Sequence, residues 1–184
     1  MALVETLYGP MDVALFERLK QIRLLVCDVD GVLSDGRIYM GNHGEELKTF
    51  HTKDGFGLKA LREIGIEVGI ITGRSSRIVS DRMAALGIEH VYQGQGAKLP
   101  ALQDLLDLLG LEAQQAAYIG DDVIDIPVMQ ACQLGIAVAD AHPLVLRAAS
   151  YVTHLRGGEG AVREVCDLLL QANQALELAQ GASI

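Results

Sequence analysis

Short β-branched runs alternate along the chain with segments whose apolar residues recur every three or four positions, the signature of strands interleaved with amphipathic helices. LLVCDV (24–29), EVGIIT (67–72), HVYQ (90–93), AAYIGD (116–121), GIAVA (135–139) and YVTH (151–154) predict strands. GFGLKALREIG (55–65), SSRIVSDRMAALG (75–87), KLPALQDLLDLLG (98–110), DDVIDIPVMQACQ (121–133) and HPLVLRAAS (142–150) predict helices, several closed by the glycine that suits a helix C-terminus. Such alternation implies an α/β fold: a Rossmann-like, doubly wound parallel sheet with helices on both faces and its ligand site at the carboxyl ends of the strands. Three pieces stand outside the alternation. MDVALFERLKQI (11–22) predicts a helix before the first strand. Residues 37–52 predict an inserted β-hairpin with a Gly41-Asn42-His43-Gly44 turn. Residues 160–180 predict one C-terminal helix with an apolar stripe.

Length and charge narrow the classes. The 184 residues suit a single domain, 1–184. A net charge of -9 argues against nucleic acid and anionic membranes as partners. No apolar run approaches a membrane span, and the first ten residues lack the basic head and apolar stretch of a secretory signal. Cys27, Cys132 and Cys166 are odd in number, far apart and in apolar contexts, which suits free thiols in the cytoplasm.

The chemistry gathers at the predicted strand ends. Asp28 and Asp30 close the first strand, Thr72-Gly73-Arg74 the second, and Asp121 and Asp122 the fourth, with Asp125 just beyond. Lys98 opens a helix. In the predicted sheet these residues share one crevice. Clustered carboxylates repel one another unless a cation sits among them, and an all-oxygen donor set with no clustered His or Cys favours a hard ion, most simply Mg2+. A carboxylate can attack phosphorus once a metal and a lysine offset the repulsion between the two anions. A second carboxylate can protonate the leaving alcohol and later deprotonate water. Paired aspartates at a strand end are also ordinary turn or helix caps; the matching strand ends weigh against that reading here.

The segments DVDGVL, ITGR, Lys98 and GDDVID resemble, in order, the four motifs of the haloacid dehalogenase superfamily of phosphatases. DGFGLKALREIGIEVGIITGRSS, LGIEHVYQGQGAK, AVADAHP and GGEGAVREVCDLLL narrow the resemblance to the family of 3-deoxy-D-manno-octulosonate 8-phosphate phosphatases, over nearly the whole chain. The resemblance implies Asp28 as nucleophile, Asp30 as general acid and base, and Thr72 and Lys98 as phosphoryl-binding groups. It also implies Mg2+ held by Asp28, the Asp30 main-chain oxygen and Asp121, with Asp122 near substrate and Asp125 supporting the metal site from behind. Family membership further implies an uncapped homotetramer acting on a sugar-acid phosphate in lipopolysaccharide synthesis. Acylneuraminate or deaminoneuraminate 9-phosphate is an alternative substrate.

Spacing carries the architecture further. Between Asp30 and Thr72 there is room only for the hairpin and one helix, so no cap domain covers the site. A lone two-stranded ribbon is marginal, which suggests that hairpins associate between subunits and build a lid. For the sugar and its carboxylate the candidates are Arg74 and Arg82, placed on one face of a helix by their spacing, and the rim segment His51-Thr52-Lys53-Asp54-Gly55 with Lys59. Arg156-Gly157-Gly158 is a candidate gate for a neighbouring site. A phosphate-accepting receiver module uses a similar acidic set, but there the acidic pair precedes the phosphorylated aspartate, whereas Asp-x-Asp comes first here.

Overall fold

The computed structural model describes residues 2–181. In chain order the elements are β1 (Leu3–Thr6), β2 (Gly9–Asp12), α1 (Val13–Leu19), β3 (Leu24–Cys27), β4 (Tyr39–Met40), β5 (Glu46–Leu47), α2 (Thr52–Glu63), β6 (Glu67–Ile71), α3 (Arg77–Ala85) and β7 (His90–Tyr92). There follow α4 (Lys98–Leu109), β8 (Ala116–Gly120), α5 (Ile126–Ala131), β9 (Leu134–Ala137), α6 (Pro143–Ala148), β10 (Tyr151–Val152), α7 (Ala161–Ala172) and α8 (Leu178–Gly181).

Six parallel strands form the central sheet in the order β10-β9-β8-β3-β6-β7. The chain works outward from β3 to β6 and β7, then crosses back to β8 and continues the other way. The switch point therefore lies between β3 and β8, where a doubly wound sheet opens its ligand crevice. Every residue of β3 and β8 is buried, which is why LLVC and AAYIG read as continuous apolar runs rather than alternating ones. On one face α2 packs on α7 and α7 on α1; on the other α4 packs on α5 and α5 on α6.

Several boundaries differ from the sequence expectation, four of them in ways that shape the fold. Met11 and Asp12 belong to β2, which pairs with β1 in an N-terminal hairpin, and the first helix starts only at Val13 because the Asp12 carboxylate caps it by accepting the Ala14 N–H. The inserted hairpin has a ladder of only two residue pairs, Tyr39 with Leu47 and Met40 with Glu46, and His51 is already the N-cap of α2. The segment 121–133 opens with one tight turn at Val123–Asp125 before α5. The C-terminal helix breaks after Ala172, where Gln174 takes a left-handed conformation (φ 57°) and the Ala175 N–H returns to the Leu170 carbonyl. No helix among the described residues is long and apolar enough to cross a membrane.

Helix α7 is nearly all buried, including two acids with local partners. Glu164 accepts the backbone N–H groups of His154 and Leu155 and the Tyr151 hydroxyl. Asp167 accepts the Tyr8 hydroxyl and the Arg163 Nε–H. Helix α2 meets α7 closely: a Cβ on Gly57 would lie 2.8 Å from the Cys166 Cβ. At the same contact Asp54 is buried; its Oδ1 accepts the Arg163 N–H at 2.9 Å, and its Oδ2 has no partner among the described residues.

Burial pushes the Asp54 carboxyl up to about 6, with Arg163 and Arg82 acting in the opposite direction. A folded-state value above the unfolded one means that this group favours folding at low pH and that the contribution is lost as pH rises through about 6. At about 1.4 kcal/mol per pH unit, the rise from 3.8 to about 6 is worth about 3 kcal/mol. Urea unfolding of Asp54→Asn and the parent protein at pH 4 and pH 8 should therefore show the stability difference moving by about 2.5 kcal/mol in favour of the variant at the higher pH. A pH-independent difference would contradict the assignment.

Candidate active site

Strand β3 carries Asp28 to the switch point, and the Asp28 N–H donates to the Ile119 carbonyl at 3.1 Å, extending the β3–β8 ladder by one step. The chain then wraps tightly. The N–H groups of Val32, Leu33 and Ser34 all donate to the Val29 carbonyl, and Gly31 turns at φ 83°. Only glycine fits there, because a Cβ on Gly31 would fall 2.0 Å from Asp121 Oδ2. The neighbouring strands end level with β3, so Thr72 follows Ile71 and Asp121 follows Gly120. Asp28, Asp30, Thr72, Lys98, Asp121 and Asp122 line one open cleft of about 270 Å3, with Arg74 at its side.

Lys98 is the centre of the cluster. It is buried, its ammonium donates to Asp125 Oδ1 at 2.6 Å and to the Tyr118 hydroxyl at 3.0 Å, and it pairs with Asp28 Oδ2 at 2.8 Å. Burial alone would pull the ammonium down, but Asp28 and Asp125 outweigh it and hold Lys98 above its ordinary value. One lysine does not neutralise the carboxylates around it. Burial and then Asp125 push Asp28 up to about 6, against Lys98. Burial, Asp28, Asp125 and Asp122 push Asp121 up to about 8. Carboxylates so reluctant to ionise together mark a site that gains from a further cation.

Carboxylate oxygens of Asp28, Asp121 and Asp125 lie within 4.8 Å of one another. Asp125 is already saturated. Its Oδ1 receives Lys98 and Tyr118, and its Oδ2 receives the backbone N–H groups of Asp121 and Asp122. Asp28, with one partner on each oxygen (the Val29 N–H and Lys98), and Asp121 keep lone pairs to offer an ion, and a hard divalent cation fits this oxygen-only set. Asp125 acts from behind, shaping the Asp121–Asp122 loop and anchoring Lys98. The exposed Asp122 spends one oxygen capping Val123.

The remaining sequence candidates separate. Arg74 reaches the cleft, 4.0 Å from Asp30 Oδ2, but from the loop before α3 and not from a helix face shared with Arg82, since α3 begins only at Arg77. Arg82 lies over Gly55 and lines a small cavity with His51 and Asp54. Thr52 and Lys53 are exposed in the first turn of α2, Lys59 is half-buried further along, and His51 Nδ1 accepts the Lys53 N–H as helix cap. Within one chain these residues do not line the cleft that holds Asp28. The glycines at 157 and 158 pack against the chain's own Gly31 turn. A Cβ on Gly157 would meet the Gly31 carbonyl oxygen at 1.7 Å, and the Gly158 N–H donates to the Val32 carbonyl at 2.8 Å. Glu164 holds the start of that loop, so α7 braces the nucleophile turn.

Two residues escaped the sequence reading. Tyr118 carried a signal, being the one polar-tipped residue in the apolar run AAYIG; a buried hydroxyl needs a partner, and it has Asp125. Lys48 gave none. It follows β5, its side chain is fully covered, and its ammonium lies 2.5 Å from Asp30 Oδ1.

Known proteins resemble this chain over its whole length. Residues 89–164 match the model of the haloacid dehalogenase-like hydrolases. The chain is 56% identical over 183 residues to the 3-deoxy-D-manno-octulosonate 8-phosphate phosphatase of Salmonella typhi, covering 100% of this chain and 97% of that protein. The crystal structure of the phosphatase of the same name from Yersinia pestis superposes with a TM-score of 0.94 at 56% identity, covering 96% of this chain and 95% of that one. The Moraxella catarrhalis phosphatase, solved with magnesium, phosphate and a KDO molecule, superposes with a TM-score of 0.87 at 44% identity, covering 89% of this chain and 94% of that one. A full-length likeness of this degree settles the family: the chain belongs to the 3-deoxy-D-manno-octulosonate 8-phosphate phosphatases among the haloacid dehalogenase-like hydrolases.

Proposed function

We propose that this protein is a magnesium-dependent phosphatase that hydrolyses 3-deoxy-D-manno-octulosonate 8-phosphate, supplying the free sugar acid for lipopolysaccharide synthesis in the cytoplasm. The observation that carries the reading is the Lys98 ammonium 2.8 Å from Asp28 Oδ2 at the floor of an open cleft on the switch point. An oxygen of Asp28 attacks phosphorus, and the bond from phosphorus to the sugar oxygen breaks as Asp30 gives that oxygen a proton. Water then attacks the phosphorus of the aspartyl-phosphate. Asp30 takes a proton from the water, the bond to Asp28 breaks, and phosphate leaves with both carboxyls restored. Lys98 and the Thr72 hydroxyl bind the phosphoryl oxygens, and Arg74 offers a cation at the rim to the substrate carboxylate. Asp28, Asp121 and the Asp30 main-chain oxygen would hold magnesium, which would supply positive charge against the phosphoryl group.

The cleft is open because the segments flanking it hold only the hairpin, α2 and α4. The hairpin presents Ile38, Tyr39, Met40 and Leu47 to solvent, with Met40 81% exposed. An apolar face on a ribbon this short favours packing against other copies of the chain, so the reading includes a homotetramer in which hairpins close the site.

Purified protein with Mg2+ should release phosphate from 3-deoxy-D-manno-octulosonate 8-phosphate far faster than from a nine-carbon acid 9-phosphate or a hexose phosphate. A chelator should abolish release, and Asp28→Asn should lower kcat by at least about 10^4-fold. Equal rates on all three substrates would remove the narrow assignment and leave the chemistry standing. Met40→Glu should shift the protein to a smaller species in sedimentation without lowering its melting temperature by more than a few degrees. An unchanged sedimentation coefficient would rule the hairpin out as the contact.

A further inference from the structure

Asp30 sits in a closed ring of charges that ties the inserted hairpin to the cleft. Lys48 Nζ is 2.5 Å from Asp30 Oδ1 and 3.5 Å from Glu46 Oε1. Arg74 bonds Glu46 at 3.3 Å and reaches Asp30 Oδ2 only at 4.0 Å. Lys48 and Glu46 belong to the hairpin; Asp30 and Arg74 belong to the loops after β3 and β6. The Lys48 side chain is fully covered although the cleft beside it is open, and a charge-assisted bond at a covered position orients its partner far more firmly than an exposed ion pair does. The two oxygens of Asp30 are thus unequal. Oδ1 is anchored by Lys48, and Oδ2 has no hydrogen bond among the described residues, in the cleft that Asp28 also lines.

We infer that Lys48 is a positioning residue for the phosphatase reaction: by fixing Asp30 Oδ1 it holds Oδ2 where the leaving oxygen must be protonated, so the docked hairpin is a condition of catalysis. This rests on the reading of Asp30 as the group that protonates the leaving alcohol. Lys48 touches neither phosphate nor metal in this scheme. Its effect must therefore scale with the leaving group's need for a proton, which simple loss of structure would not produce.

The test compares kcat/KM on 3-deoxy-D-manno-octulosonate 8-phosphate, whose alkoxide needs a proton, with p-nitrophenyl phosphate, whose phenolate departs without one. Lys48→Met should lower the first by about 10-fold or more, within the range of a mispositioned general acid, and the second by less than about 3-fold. Lys48→Arg, which keeps the charge, should recover most of the loss, and both variants should melt near the parent. Equal losses on the two substrates, or no loss on either, overturn the inference while the phosphatase reading stands. If Lys48→Met is too unstable to assay, Lys48→Gln carries the same comparison, and equal losses there also overturn it. A parent protein that hydrolyses neither substrate, as judged against Asp28→Asn, defeats the phosphatase reading itself.

Discussion

An ammonium buried among carboxylates organises this molecule. Lys98 starts α4, yet its head group lies beneath the ends of β3 and β8, hydrogen-bonded to Asp125 and Tyr118 and ion-paired with Asp28. The parallel ladder brings Asp28 and the Asp121 loop level, and Asp125 uses its other oxygen to hold the two amides that shape that loop. Remove the positive charge and several acids face one another in a half-buried crevice. A divalent cation answers the part of that repulsion which one lysine leaves, so the demand for metal follows from charge balance before any chemistry is considered.

The support for this cluster comes from far along the chain. Helix α7 buries Glu164, which fixes the loop into Gly157, and Gly157 lies so close to the Gly31 carbonyl that no side chain fits between. Gly31 in turn leaves room for Asp121. Three elements remote in sequence therefore share the task of holding the turn after Asp28. The opposite wall is lighter: a hairpin with two ladder pairs, joined to the cleft through Lys48, Glu46 and Arg74. A rigid floor and a lightly attached wall suit a site that must bind phosphate in a fixed geometry and admit a long sugar acid.

Strand positions were legible because buried parallel strands are short β-branched runs, and the strand-end rule then gathered Asp28, Asp30, Thr72, Lys98, Asp121 and Asp122 at one crevice. What stayed hidden depends on contacts between distant segments. The proximity of Lys48 to Asp30 is set by how the hairpin docks, which no periodicity encodes. The spacing of Arg74 and Arg82 suggested one helix face, but the helix starts three residues after Arg74. The end of the expected rim segment, Asp54-Gly55, lies inside α2, where Gly55 packs against Arg82 and Gly57 brings the helix against α7. The N-terminal hairpin was lost because Met11 and Asp12 fit the amphipathic pattern of α1 although Asp12 caps it. The break after Ala172 turns on a left-handed Gln174, a residue type that gives no advance notice.

The central claim is that Asp121 is strained by its acidic neighbours and relieved by a divalent cation. Thermal unfolding of the parent protein and Asp121→Asn, in chelator and across a Mg2+ series, tests it most directly. The account predicts that the variant melts higher than the parent in chelator, because one repelling carboxylate is gone. It also predicts that Mg2+ raises the parent's melting temperature steadily with the logarithm of its concentration while the variant gains little. A variant that melts lower in chelator and gains as much from Mg2+ as the parent would contradict it.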